Sequence, residues 1–156
     1  MSICTGMGDM GKTSLCSPEE MSKCEICFTA LGDLDELSAS LGLVKVIAEN
    51  KGFYENLQKT IIKISAFIAT KNPDYALTKE EAEIPQAKED IAFTEFCLPG
   101  KNEFSARLHL ARTVARRAER SFVALTEEYP CYCDPWALVF LNRLSDALFI
   151  EAVKNE

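Results

Sequence analysis

The apolar residues between positions 108 and 125 recur at alternating steps of three and four. They are Leu108, Ala111, Ala115, Ala118, Phe122 and Leu125. This spacing follows the 3.6-residue period of an α-helix and predicts a long helix with one continuous apolar face. Such a face must be buried against other elements, and no alternating or β-branched run elsewhere supplies a sheet. The chain is therefore predicted to be all-α.

The segments before this helix show the same kind of pattern. Apolar residues step by three and four in residues 34–44 and again in residues 53–68, and the second helix should end before Pro73. Asp33 and Asp35 are expected in the first turn of the earlier helix, where the helix dipole favours negative charge.

Two further helices are predicted from end signals. Thr78 and Glu81 have the spacing of a capping box, which predicts a short helix that Pro85 should interrupt. Asp134 and Pro135 predict the start of a last helix, as N-cap and first helical residue. The resulting fold class is an up-and-down bundle of five helices over residues 33–156, preceded by a glycine-rich segment over residues 1–32 in a single domain of residues 1–156.

Composition excludes several classes of protein. The 156 residues include 24 acidic and 17 basic side chains, so the net charge is −7. An acidic chain is a poor overall binder of nucleic acid, and an anionic ligand would need a local basic patch. No apolar run approaches about 18 residues, so no membrane span is predicted. Residues 1–5 are too short and polar for a secretory signal, and a cytoplasmic location is expected.

Seven cysteines, an odd number, favour free thiols in a reducing compartment. Four of them lie in two close pairs that could form a four-thiolate metal site: Cys24, Cys27, Cys131 and Cys133. The second pair has the spacing C-x-C and the sequence contains one histidine, His109, so small half-buried side chains are the favoured interpretation. No metal ligand is assigned.

Residues 6–13, GMGDMGKT, satisfy both the P-loop pattern and the dinucleotide-binding pattern. Both motifs need a strand before them and a parallel sheet around them, and only residues 2–5 could form that strand. Both folds are therefore rejected. Glycines still allow backbone N–H groups to converge on phosphate oxygens, so the segment is a candidate anion-binding loop, with a flexible tail as the alternative.

The helix around residue 116 carries the strongest functional pattern. Arg112, Arg116 and Arg120 are spaced at i, i+4 and i+8 and should project from one side. Residues 101–120 contain six basic and two acidic side chains, a concentration suited to phosphate or carboxylate recognition. The alternative is a solvated helix face. Asp35 could orient one arginine, and Asn142 is a polar residue on a mostly apolar helix.

Four blocks of sequence occur in the order typical of one enzyme family. ICTGMGDMGKT at 3–13 resembles I-Y-T-x-x-G-D-x-G-x-T, and LGDLDELS at 31–38 resembles Y-G-x-x-D-E-L-N. FCLPG at 96–100 and LHLARTVARRAER at 108–120 resemble F-x-L-P-G-G and H-x-A-R-x-x-x-R-R-A-E-R, and LNRLSD at 141–146 is the family's own motif. On these motifs the chain resembles the PduO-type ATP:cob(I)alamin adenosyltransferases.

The resemblance implies a trimer of five-helix bundles with active sites between subunits. Its members transfer the 5′-deoxyadenosyl group of ATP to the cobalt of a reduced corrinoid, so ATP, Mg²⁺ and cobalamin are expected ligands. Residues expected to wrap ATP are Thr5, Gly6, Met7, Gly8, Thr13, Ser14 and Lys23. Residues expected to hold its phosphates and adenosine are Arg116, Arg117, Glu119, Arg120 and Asn142. A reductase that supplies cob(I)alamin, or an adenosylcobalamin-dependent enzyme, is an implied partner.

The expected catalytic residues are Phe96, Arg112, Asp35 and Arg116. By the same resemblance, Asp35 would pair with Arg112 across a subunit interface, and Phe96 would lie under the corrin ring and exclude the lower axial ligand.

Among the departures from the family pattern, two fall within its motifs. Residues 25–32, EICFTALG, replace D-P-R-x-E-A-Y-G and lack its arginine, and Lys101 replaces the second glycine after Leu-Pro-Gly. The changed residues 25–32 leave a non-catalytic carrier or sensor of ATP or corrinoid as an alternative. A P-loop kinase or NTPase is the less favoured alternative, because the sheet that it needs is not predicted.

Overall fold

The computed structural model describes Gly6, residues 8–89 and residues 97–156. This part of the chain forms two short strands and four α-helices, together with 3₁₀ turns at Pro73–Tyr75, Pro85–Lys88 and Pro130–Tyr132. The strands and helices are β1 (Lys12–Thr13), β2 (Met21–Ser22), α1 (Ile26–Ile47), α2 (Lys51–Thr70), α3 (Glu103–Glu128) and α4 (Pro135–Lys154). Helix α3 packs against both α1 and α4, and α1 also packs against α2. The prediction of a predominantly helical protein is confirmed.

The apolar face of α3 forms the centre of the core. All six residues that define it are fully buried: Leu108, Ala111, Ala115, Ala118, Phe122 and Leu125. Three of the six are alanines, whose small side chains permit a close approach of neighbouring helices. Burial of this face orients the opposite, charged side of α3 towards the surface.

The first helix begins earlier than predicted. Helix α1 starts at Ile26, so Asp33 and Asp35 lie well beyond its first turn, and that turn contains no acidic residue. The helix extends because Cys27 and Ala30 continue its buried face. Gly32 is tolerated on the exposed side, where a side chain would meet no neighbouring atom within 4 Å.

The predicted short helix at residue 78 is wrong, so the described residues contain four α-helices and not five. Both hydrogen bonds of the capping box do form: Glu81 N–H donates to Thr78 Oγ1 at 3.3 Å, and Thr78 N–H donates to Glu81 Oε2 at 2.8 Å. Only turns follow, because Pro85 arrives before a second helical turn can form and instead opens a 3₁₀ turn.

The predicted start of the last helix is confirmed. Asp134 caps α4 through Oδ1, which accepts from the backbone N–H groups of Trp136 and Ala137. Its other oxygen accepts from Leu77 N–H at 2.8 Å, so this buried carboxylate also anchors the connection that follows α2.

The structure bears on two classes that the sequence argued against, the sheet-based nucleotide-binding folds and the membrane-spanning proteins. The strands of the described residues form one antiparallel pair of two residues each, and this pair is no basis for a P-loop or dinucleotide-binding fold. Over the same residues, no helix combines the length and apolar character needed to cross a membrane.

Candidate functional site

A surface groove lies along the exposed side of α3. Its volume is about 310 Å³, and it is lined by Arg116, Glu119, Arg120, Val123, Ala124 and Glu127. Arg120 lies one turn beyond Arg116, and its Nη1 donates to the Arg116 carbonyl at 3.1 Å. Three arginines are predicted to share one side of the helix. Arg116 and Arg120 line this groove and are exposed, whereas Arg112 is partly buried and does not line it.

Helix α4 contributes to the same site through Asn142. Its Nδ2 donates to Glu119 Oε1 at 2.9 Å, which links the two helices beside the arginines. The structure thus brings together four of the predicted site residues: Arg116, Glu119, Arg120 and Asn142. The two guanidinium groups can neutralise and orient a polyanion. The amide-bound Glu119 carboxylate adds a hydrogen-bond acceptor beside them.

Arg117 lies on a different side of α3 and does not line the groove. Its Nε donates to Asp33 Oδ1 at 3.0 Å, and its Nη2 pairs with Glu36. Ser121 also donates to Asp33. Hydrogen bonding to Glu36, and less strongly to Asp33, raises the pKa of Arg117 above its usual value. These contacts join α3 to α1 within one chain.

Arg112 and Asp35 are not in contact within the chain. Arg112 is partly buried, with its guanidinium carbon 5.8 Å from the centre of the Phe149 ring. Its Nε is buried and has no hydrogen-bond partner among residues 8–89 and 97–156. Asp35 lies exposed on α1, and no hydrogen bond or ion pair in the described residues joins it to Arg112.

The glycine-rich segment folds back on itself as a hairpin. Lys12 pairs with Ser22 across β1 and β2, and Lys23 Nζ donates to the Gly8 carbonyl at 2.7 Å. Gly6 and Gly11 have φ angles of 71° and 74°, in the left-handed region that favours glycine.

The hairpin is attached at the end of α2, where Cys16 N–H donates to the Ala69 carbonyl at 3.4 Å. Thr13, Ser14 and Lys23 belong to this hairpin segment and do not line the groove. No described hydrogen bond or ion pair within one chain joins the two. Three predicted site residues lie outside the described residues: Thr5, Met7 and Phe96.

A cluster of potential metal ligands lies elsewhere and was missed by sequence reasoning. Cys97 Sγ is 3.8 Å from His109 Nε2 and 2.7 Å from both oxygens of Glu156. His109 Nε2 is 3.2 Å from Glu156 Oε1, and Lys101 Nζ is 3.1 Å from Glu156 Oε2. The three ligand residues are far apart in the sequence, so no spacing pattern could reveal them.

Hydrogen bonding within this cluster changes two pKa values. The Cys97 thiol, followed by Lys101 and His109, lowers the pKa of Glu156 to about 2, although burial opposes the shift. The same Glu156 carboxylate raises the pKa of the Cys97 thiol. By contrast, the four cysteines considered from their spacing form no such group in the part of the chain that the structure describes.

The chain is similar in sequence to known adenosyltransferases. A family model described as cobalamin adenosyltransferase matches residues 3–155. The corrinoid adenosyltransferase PduO of Citrobacter freundii is 36% identical over 163 residues, an alignment that covers 96% of this chain and 48% of the relative. The Bacillus subtilis corrinoid adenosyltransferase is 31% identical, with 97% of this chain and 85% of the relative covered. The chain thus spans about half the length of the PduO relative.

The fold is similar to solved structures. One is a variant PduO-type ATP:corrinoid adenosyltransferase from Lactobacillus reuteri complexed with cobalamin and ATP, with a TM-score of 0.82 and 28% identity. The superposition covers 97% of this chain and 91% of that one. A second variant of the same enzyme, complexed with ATP, has a TM-score of 0.77.

Proposed function

The chain belongs to the cobalamin adenosyltransferase family, and we propose that it transfers the 5′-deoxyadenosyl group of ATP to the cobalt of a reduced corrinoid. The observation that carries this proposal is the groove in which Arg116 and Arg120 lie beside the Glu119–Asn142 pair. In a chain with a net charge of −7, this local pair of guanidinium groups is suited to a polyphosphate.

The proposed reaction is a substitution at C5′ of ATP. The electron pair of cobalt(I) forms the new Co–C bond, while the C5′–O bond breaks and its electrons leave with triphosphate. Because cobalt(I) is a strong nucleophile, the protein's tasks are positioning and charge neutralisation. Arg116 and Arg120 would neutralise the leaving triphosphate, and Asn142 would orient the Glu119 carboxylate towards the nucleoside.

Magnesium is the expected companion of the triphosphate. Mg²⁺ prefers oxygen ligands and usually retains several waters beside phosphate oxygens. Glu127 lines the groove, and its carboxylate is a suitable oxygen ligand for the ion. When bound, the ion would stabilise negative charge on the leaving group. The groove's residues therefore fit a hydrated Mg²⁺ held mainly by phosphate.

We further propose a homotrimer whose sites are completed between subunits. The hairpin is attached at the end of α2 rather than at the groove, so a neighbouring subunit's hairpin would cover ATP with Thr13, Ser14 and Lys23. Asp35, exposed on α1, would pair with the partner subunit's Arg112. Exposed apolar side chains on α1 and α3 support such an interface: Leu43, Val46, Ile47 and Leu110.

We propose further roles for Phe96 and Arg117. Phe96 would lie beneath the corrin and exclude the lower axial ligand, which makes reduction of cobalt(II) easier. Arg117 would support the nucleotide site, and its ion pairs with Asp33 and Glu36 would hold α3 against α1. A cytoplasmic location would give access to a reductase or to an adenosylcobalamin-dependent enzyme.

The decisive experiment mixes the purified protein with ATP and chemically reduced cobalamin without oxygen. Formation of light-sensitive adenosylcobalamin together with triphosphate is expected. Arg116→Ala should be slower by about one to two orders of magnitude, because it removes a charge-assisted contact. ATP binding without any turnover would contradict the proposal and favour the carrier or sensor alternative.

A further inference from the structure

We propose that Cys97, His109 and Glu156 form a binding site for one Zn²⁺ ion that is separate from the nucleotide groove. The three ligand atoms come from different parts of the chain: the segment before α3, the first turns of α3, and the residues after α4. All three atoms lie within 4.8 Å of one another. Only the fold brings these three atoms together, because their residues belong to different segments.

The distances are close to those that zinc requires. With Zn–S near 2.3 Å and Zn–N or Zn–O near 2.0–2.2 Å, tetrahedral geometry places donor atoms about 3.4–3.6 Å apart. The Cys97 Sγ to His109 Nε2 distance is 3.8 Å, and His109 Nε2 to Glu156 Oε1 is 3.2 Å. The distance of 2.7 Å from Cys97 Sγ to Glu156 must widen, which a rotation of the glutamate side chain can accomplish.

The ligand types identify the class of metal. A thiolate, an imidazole and a carboxylate form a mixed set of borderline softness, which suits Zn²⁺ and does not suit Mg²⁺ or Ca²⁺. A thiolate and a carboxylate would also balance the two charges of the ion. A fourth position would stay available to water.

The atoms of the cluster share few protons. Both oxygens of Glu156 lie 2.7 Å from Cys97 Sγ, whose single proton can serve only one of them, so the carboxylate also relies on His109 and Lys101. His109 is 4% exposed, and its Nδ1 is buried without a hydrogen-bond partner among the described residues. The polar contacts of this imidazole are therefore directed into the cluster through Nε2. A cation bound at the centre would be ligated by Cys97 Sγ, His109 Nε2 and a Glu156 oxygen together, in place of these shared hydrogen bonds.

Lys101 supplies positive charge beside the Glu156 carboxylate. Lys101 Nζ lies 3.1 Å from Glu156 Oε2, and the lysine side chain is 60% exposed while that of Glu156 is 5% exposed. The flexible, solvated Lys101 can therefore move away when the ion enters. Zinc binding would then cross-link the segment before α3 to the end of α4, and it should stabilise the folded chain.

The test uses metal-free full-length protein titrated with Zn²⁺ in a calorimeter, and with Co²⁺ as a spectroscopic probe. We expect one ion per chain, a thiolate-to-cobalt charge-transfer band, and a higher melting temperature with Zn²⁺. Cys97→Ser should abolish the band, and Cys97→Ser and Glu156→Gln should each weaken zinc binding at least about tenfold.

Cys133→Ser is the matched control. The Cys133 thiol is exposed and lies outside the cluster, so this substitution should leave zinc binding unchanged. Retention of the ATP-induced rise in melting temperature by Cys97→Ser would show that the variant folds and that the two sites are independent. The proposal is overturned if the wild-type protein binds no stoichiometric zinc, or if Cys97→Ser and Glu156→Gln both bind it as tightly as wild type.

Discussion

Asn142 on α4 donates a hydrogen bond of 2.9 Å to Glu119 on α3, and this contact connects the last helix to the arginine groove. A carboxylate is thereby held beside Arg116 and Arg120, so the groove is not uniformly positive. Recognition of ATP in this groove should depend on the Glu119–Asn142 pair as well as on the arginines.

Substitution of Asn142 should distinguish a hydrogen-bonding role from a packing role. Asn142→Asp places a second carboxylate against Glu119, and the repulsion should weaken ATP binding more than Asn142→Ala does. The alanine variant should lose about one order of magnitude in affinity, and Glu119→Gln added to Asn142→Asp should restore part of the loss. Calorimetric titration with ATP measures each effect. Equal affinities for the two single variants would contradict this interpretation.

Arg116→Ala and Arg120→Ala should weaken ATP binding without unfolding the helices. Each removes a charge-assisted contact worth roughly 1.5–3 kcal/mol, and loss of one like charge can relieve repulsion along the helix. The measurement is thermal melting with and without ATP. Lys59→Ala is a suitable control, because Lys59 forms an exposed ion pair with Glu55 on α2. Full retention of the ATP-induced rise by both arginine variants would exclude the groove as the nucleotide site.

The Asp35–Arg112 pair should matter for assembly. If the two residues meet between subunits, Asp35→Ala and Arg112→Ala should each reduce trimer stability and activity, and the double change should be less than additive. Light scattering should give about 52 kDa for three chains of 17.4 kDa. A fully active monomer, or strictly additive effects, would argue against a shared site.

Phe96 should affect cobalt chemistry and leave ATP affinity nearly unchanged. Phe96→Ala should slow turnover when cob(II)alamin must be reduced, because the lower axial ligand would no longer be excluded. The loss should shrink with cobinamide, which lacks that ligand. Parallel assays with the two corrinoids provide the measurement, and an equal loss with both would indicate that the ring only packs.

The Glu81 carboxylate should contribute to the free energy of unfolding, and this contribution should depend on pH. Its pKa is lowered from the ordinary value of 4.5, chiefly by the hydrogen bond from Lys63 and then by that from Thr78 N–H. A carboxyl group whose pKa is lower in the folded state stabilises the protein fully above its unfolded pKa, and this stabilisation is lost as the pH falls through the folded value.

Glu81→Gln should accordingly lower the melting temperature at pH 7, and the difference from wild type should shrink as the pH falls below 4.5. Glu80→Gln, at an exposed neighbouring position, is the control and should show a smaller effect. A difference that stays constant from pH 7 to pH 3 would show that the charge of Glu81 is not responsible.

Local sequence signals were sufficient wherever one segment determined its own conformation. The apolar period of α3 and the Asp134 cap with Pro135 depend on neighbours within a few residues, and both appear in the structure. Of the three arginines spaced by four, Arg116 and Arg120 line one groove, and Arg112 does not. The same kind of signal failed at Thr78. There the capping hydrogen bonds formed, but Pro85 left too few residues for a helix to propagate.

Contacts between distant segments were decided by packing alone. The start of α1 at Ile26 depends on burial of Cys27 and Ala30 against the rest of the core, which the apolar steps of residues 34–44 did not reveal. Arg117 pairs with Asp33 on α1, whereas its neighbour Arg116 faces the groove. Adjacent residues of a helix point about 100° apart, and α1 packs against only one side of α3. The meeting of Cys97, His109 and Glu156 has the same origin: sequence spacing describes a single element, whereas ligands from three elements converge only when tertiary packing places those elements together.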